Sequence, residues 1–259
     1  MSGRTDTVEI LDLALAAFGD MVRCLTPDQW RASSLCPGWT MRDVVLHVTS
    51  IEAALLGWRP GADHPFAGMG GIAEELAGFD DDALLARFDA LAAARIAELT
   101  TMTDAEFDAP SVTPAGPGTY GRFMRIRVFD LWVHERDIRV PLDLPGDDDG
   151  PVAELALDEV QSALGFIVGK KVGMPDGTSI AIDLTGPVTR RLCARVDGRA
   201  TAVDRLDEPT VTLTTDSLTF MLLACGRIDP EGPIADGRIT WTGDATLGDQ
   251  ASRNLAFTM

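Results

Sequence analysis

The sequence predicts two domains of different class: a four-helix bundle over residues 1–143, then a small mixed α+β domain over residues 150–259. Three observations predict this. Apolar residues recur at three-and-four spacing through the first 140 residues. Short runs between residues 178 and 242 alternate apolar with polar. Between the two patterns lies "VPLDLPGDDDGPV" (residues 140–152), which carries prolines, glycines and three consecutive aspartates and reads as a linker.

Each element follows from its own signal. "DTVEILDLALAAFGDMVRCL" places Val8, Leu11, Leu15, Phe18 and Val22 on one helical face. In "CPGWTMRDVVLHVTSIEAALLGW", Pro37 and Gly38 break the chain, and Thr40 with Asp43 spells a capping box. Trp39 and Val44 are spaced for a hydrophobic staple. "HPFAGMGGIAEEL" reads as a glycine-bearing connection. A third helix runs from about Asp81 to Leu99, with Leu84, Phe88, Leu91 and Ile96 inward. "APSVTPAGPGTYG" reads as a loop, and a fourth helix spans about Tyr120 to Arg139.

Past the linker, a helix is expected from about Val152 to Lys170. "TSIAIDLTG", "RRLCARV", "RATAVD" and "TVTLTT" then read as strands, with Asp197-Gly198 closing a tight hairpin between the second and third. "DSLTFMLLACG" is a helix stopping at Gly226, "RITWTG" a last strand, and "DATLGDQASRNLAFTM" a closing helix capped by Asp244.

Composition bounds the function. With 46% hydrophobic and 24% charged residues, the chain is ordinary for a globule. A formal charge of −18 argues against nucleic acid or an anionic membrane as partner, since both favour a basic face. No signal-peptide pattern opens the chain and no apolar run is long enough to span a membrane, so a cytoplasmic location is expected. Cys24, Cys36, Cys193 and Cys225 form no Cys-x-x-Cys pair and read as free thiols. Lysine occurs only at 170 and 171, a bias of GC-rich genomes.

The chemistry concentrates in two helices. His47 shares a face with Val44, Ile51 and Leu55. Asp130 and His134, four residues apart, share one with Phe123, Ile126 and Val133. Two imidazoles and a carboxylate facing the bundle interior form the ligand set of an open, catalytic metal site. The same spacing also fits two core histidines bonded to backbone, with Asp130 orienting one of them.

"LCPGWTMRDVVLHV" and "DLWVHERDIR", about 90 residues apart, resemble the mycothiol-dependent maleylpyruvate isomerase family. "TDSLTFMLLACGR" and "GDATLGDQASRNL" resemble its C-terminal part, so the likeness covers nearly the whole chain. The resemblance implies a DinB-like metal-binding bundle followed by a sterol-carrier-like domain. It also implies a zinc or other divalent ion on His47, Asp130 and His134, mycothiol as thiol cosubstrate, and an actinobacterial source. The family's acidic ligand is a glutamate. Asp130 is one methylene shorter, and both carboxylates bind zinc.

Other residues carry two readings each. Asp137 is placed to bond the free ring nitrogen of a ligand histidine, or with Arg139 to salt-bridge a helix end. Arg227 stands near where the family has a substrate-binding arginine. It reads as a carboxylate clamp or as a cation favoured at a helix C-terminus. His64, beside a proline in a loop, reads as exposed; Trp39, Trp58 and Trp132 read as core or rim packing.

The expected function is a metal-dependent enzyme using a low-molecular-weight thiol, either a cis–trans isomerase of an enoyl diacid or a thiol S-transferase. The rivals are a DinB-like metal-dependent hydrolase and a non-catalytic metal- or small-ligand-binding protein. The expected partners are a small-molecule substrate and the thiol, with the chain a monomer or weak homodimer.

Overall fold

A computed structural model of the chain describes residues 3–61 and 64–258. Met259, at the end of the expected closing helix, and Ala62 and Asp63, in the loop around His64, lie outside them. The described residues divide after Gly146 into two compact units.

The first unit contains α1 (Arg4–Arg23), α2 (Pro27–Arg31), α3 (Met41–Leu55), α4 (Met69–Ala77), α5 (Asp81–Thr101), α6 (Asp104–Phe107), the strands β1 (Pro110–Thr113) and β2 (Gly116–Thr119), and α7 (Tyr120–Arg139). The four long helices are those read from periodicity. α1 and α3 each pack between α5 and α7, so they stand across the bundle from one another. Leu11, Leu15, Phe18, Val44, Val48, Leu84, Phe88, Phe123 and Val128 fill the centre, each at most 1% exposed apart from Leu15 at 2%. Adjacency of α3 and α7 brings His47 beside Asp130 and His134.

Both helices are well anchored at their starts. Thr40 accepts from the Asp43 amide while the Asp43 carboxylate accepts from the Thr40 amide at 2.8 Å, the expected capping box. α7 is capped by the Thr119 hydroxyl. Its second residue is a glycine because a Cβ on Gly121 would stand 2.6 Å from the Phe107 ring.

Several expectations are revised. The stretch read as a loop before α7 is a hairpin pairing Pro110 with Thr119 and Thr113 with Gly116; its prolines and glycines hide the strand signal. The connection "HPFAGMGGIAEEL" holds a 3-10 turn, Pro65–Gly68, and α4. Ile96 is only half-buried. Arg95 occupies the inward position beside it and is fully buried.

The second unit begins with α8 (Gly150–Ser162) and a short α9 (Leu164–Phe166). A π-helical segment, Ile167–Val172, follows in place of a regular helix through Lys170. Gly165 and Gly169 press on strand β5 (Arg199–Val203), where a Cβ on either would come within 2.9 Å of Ala200. β3 (Ser179–Thr185), β4 (Arg190–Asp197), β6 (Val211–Asp216) and β7 (Ile239–Gly243) complete a five-stranded sheet ordered β5-β4-β3-β6-β7. β3 and β6 run parallel and the other neighbours antiparallel. Gly198, at φ +65°, turns the chain between β4 and β5 as its dipeptide predicts.

The remaining helices are α10 (Ser217–Ala224), α11 (Glu231–Ala235) and α12 (Ala245–Arg253). α12 stops earlier than periodicity suggests. The tail turns back to dock on α10, with the Phe257 amide donating to the Ala224 carbonyl at 3.0 Å. No helix among the described residues is long and apolar enough to cross a membrane.

Candidate metal centre

His47 lies in the second turn of α3, and Asp130 and His134 lie one turn apart on α7. One nitrogen of each imidazole and one oxygen of Asp130 all lie within 4.8 Å of each other. The two imidazole centroids are 4.8 Å apart at a steep angle, and Asp130 Oδ1 is 3.5 Å from His134 Nε2. The three predicted ligands therefore converge.

They do so at the edge of the bundle. His134 is buried, whereas His47 is half-buried and the Asp130 side chain is 32% exposed. The inward placement inferred for His47 and Asp130 is corrected to this extent. The site is open to solvent, as access for a small molecule requires.

The electrostatics fit a cation. Burial pushes the His47 pKa down to about 4, an effect that the Asp130 carboxylate offsets only in part. Burial would also lower His134, but Asp130 and Asp137 outweigh it and raise the pKa to about 9. Burial works to raise the Asp130 pKa. The charges of His134 and Arg127 overcome it and hold the carboxyl well below its ordinary range. At neutral pH the cluster is thus a neutral imidazole and a carboxylate balanced by one protonated imidazole. A divalent ion would take over the balancing role of that proton.

Asp137 is fully buried, and its Oδ2 lies 2.9 Å from His134 Nδ1. This leaves Nε2 turned toward Asp130 and His47, the arrangement that fixes a ligand imidazole. At the end of the helix, the Arg139 of the alternative reading pairs with Glu135, to which its Nε donates at 2.5 Å, and the same guanidinium donates to the Pro145 carbonyl. Trp39 is more than packing. Its ring stacks 6.3 Å from His134 and lies 5.1 Å from His47, walling the site.

Two features escaped the sequence reading. Cys36 brings its sulfur within 4.8 Å of donor atoms of His134 and Asp137, because the Leu35 amide donates to the Asp137 carbonyl at 2.9 Å. Arg127, buried one turn before Asp130, donates to Asp130 Oδ2 and, at 2.6 Å, to buried Glu52. A charged residue in the apolar stripe of α7 was the available signal.

The other candidates lie elsewhere. His64 is exposed and its Nδ1 accepts from the Phe66 amide at 3.3 Å. Trp58 stacks on Tyr120, and Trp132 lies under the Arg136 guanidinium. Arg227, in the second unit, is 8% exposed and donates to the Cys225 carbonyl at 2.9 Å, turned back on the end of α10. That is the geometry of a cation at a helix C-terminus. The four cysteines are free thiols.

Residues 11–139 match the family model of the mycothiol maleylpyruvate isomerase N-terminal domain, and residues 154–250 match that family's C-terminal domain. No curated protein matches the chain. Among solved structures, the crystal structure of the mycothiol-dependent maleylpyruvate isomerase aligns with a TM-score of 0.64 at 16% identity, covering 95% of this chain and 98% of that one. A histidine-to-alanine mutant of the same enzyme aligns at 0.65 and 15%, with the same coverage. At these identities the likeness is one of fold.

Proposed function

Since the chain belongs to the mycothiol maleylpyruvate isomerase family, we propose that it is a thiol-dependent isomerase whose metal centre is His47, Asp130 and His134. The observation that carries the reading is the convergence of these three donors at an edge open to solvent. Two imidazoles and one carboxylate are a known open zinc set, so the ion we assign is zinc, with mycothiol as cosubstrate. When bound, the ion supplies a Lewis acid that stabilises a thiolate at neutral pH.

The residues of the chain do the rest. To hold the ion, His47 would present the neutral nitrogen it already carries and His134 would give up its proton to solvent, with Asp137 holding the His134 ring in its tautomer and orientation. Asp130 neutralises part of the charge, and Trp39 covers one side of the site against water. Addition of the thiolate to the electron-poor double bond of a cis-enoyl diacid leaves a single bond free to rotate. Expulsion of the thiolate then gives the trans isomer and returns the thiol.

Thiol bookkeeping tests the reading. Incubation with mycothiol and a cis-enoyl diacid such as maleylpyruvate is expected to give the trans product with the thiol titre unchanged. Loss of one thiol per substrate would make the protein an S-transferase, and turnover without thiol would favour the hydrolase.

A further inference from the structure

Asp130 does not stand alone. Arg127 Nη1 donates to Asp130 Oδ2, which leaves Oδ1 as the oxygen 3.5 Å from His134 Nε2. The guanidinium is itself fixed from α3. Its Nε donates to Glu52 Oε1 at 2.6 Å and its Nη2 to the Val48 carbonyl at 3.4 Å. Glu52 is fully buried, and Arg95 of α5 closes its other side, Nε lying 3.5 Å from Glu52 Oε2. One planar fork thus reaches the acidic residue of the site on α7 and the stretch of α3 that begins one residue after His47.

We infer that Arg127 is a positioning residue of the metal centre, an inference that rests on the metal reading above. It selects which oxygen of Asp130 faces the histidines. By tying α3 to α7 it also sets the distance from His47 to His134. An untethered aspartate offers either oxygen and samples several rotamers, and ordering it would weaken metal binding. Lysine at 127 has a single ammonium on a flexible stem; it reaches Glu52 or Asp130 but does not bridge them as the fork does.

Cobalt titration of the whole protein tests this, read by its d–d absorption. In Arg127→Lys, the cobalt dissociation constant is expected to rise about 10- to 100-fold, the usual effect of losing an outer-sphere partner. The band intensity should change as the carboxylate turns. Glu52→Gln keeps the shape but weakens the anchor, and a smaller shift in the same direction is expected. A merely structural Arg127 would lower the melting temperature of the metal-free protein and leave affinity and spectrum alone. That result in folded Arg127→Lys overturns the inference; if this variant does not fold, the same result in Glu52→Gln overturns it. Wild-type protein that binds no cobalt overturns the metal reading and this inference with it, whereas wild type and variants binding identically overturn this inference alone.

Discussion

His47→Ala is expected to strip the protein of its divalent ion, from about one per chain to a small fraction, because two ligands seldom hold zinc against buffer. His47 is the right ligand to remove. It is half-buried, so its loss opens no sealed cavity, and α3 is held by its capping box and by Val44, Val45 and Val48, all fully buried. The fold is therefore expected to survive, with an unchanged far-ultraviolet dichroism spectrum. Elemental analysis of wild type and variant, both purified without a metal-affinity tag or chelator, is the measurement. Equal metal content in the two would remove His47 from the site.

Glu52→Ala is expected to give the largest loss of stability. The substitution deletes a fully buried carboxylate lying between two buried guanidinium groups, those of Arg95 and Arg127. Breaking such a group by removing one member costs about 3–5 kcal/mol, since the remaining charges stay buried. Arg95 keeps Glu98 at 2.6 Å and Arg127 keeps Asp130, which points to the lower end, about 3 kcal/mol. At about 2–4 °C per kcal/mol for a chain of this size, the melting temperature should fall by roughly 10 °C. The exposed pair Arg4–Asp104 is the internal comparison, with a loss below about 1 kcal/mol on substitution. Equal melting shifts for the two would show that the buried cluster is not held as described.

The long elements were legible because periodicity is a statement about packing. α1, α3, α5 and α7 show their stripes, and the strands from Ser179 to Asp216 show their alternation. What escaped was charge inside a stripe. Arg95 continues the run Leu84, Phe88, Leu91 at helical spacing, and Glu52 continues Val45 and Val48 toward Leu55. Both are charged and so do not register as part of an apolar stripe, yet both are fully buried. Arg127 sits the same way on α7. The three candidate ligands could be placed on two helix faces from sequence alone. That those faces meet depends on α3 and α7 being neighbours, which no local pattern states. The approach of Cys36 to His134 was hidden for a similar reason, since a backbone bond from Leu35 to Asp137 makes it.

Whether the ion on His47, Asp130 and His134 takes a thiol is read from cobalt-substituted protein. Adding mycothiol at neutral pH is expected to produce a sulfur-to-metal charge-transfer band, weakening at low pH as the thiol recovers its proton. Cys24, the residue that ends the first helix of the bundle, is the natural control from sequence. Cys36 is the necessary one, since its sulfur lies within 4.8 Å of donor atoms of His134 and Asp137. The band should therefore appear in Cys36→Ser as in wild type, and only after thiol is added. A cobalt protein whose spectrum ignores mycothiol at neutral pH would contradict the account and leave a hydrolase or a binding protein in its place.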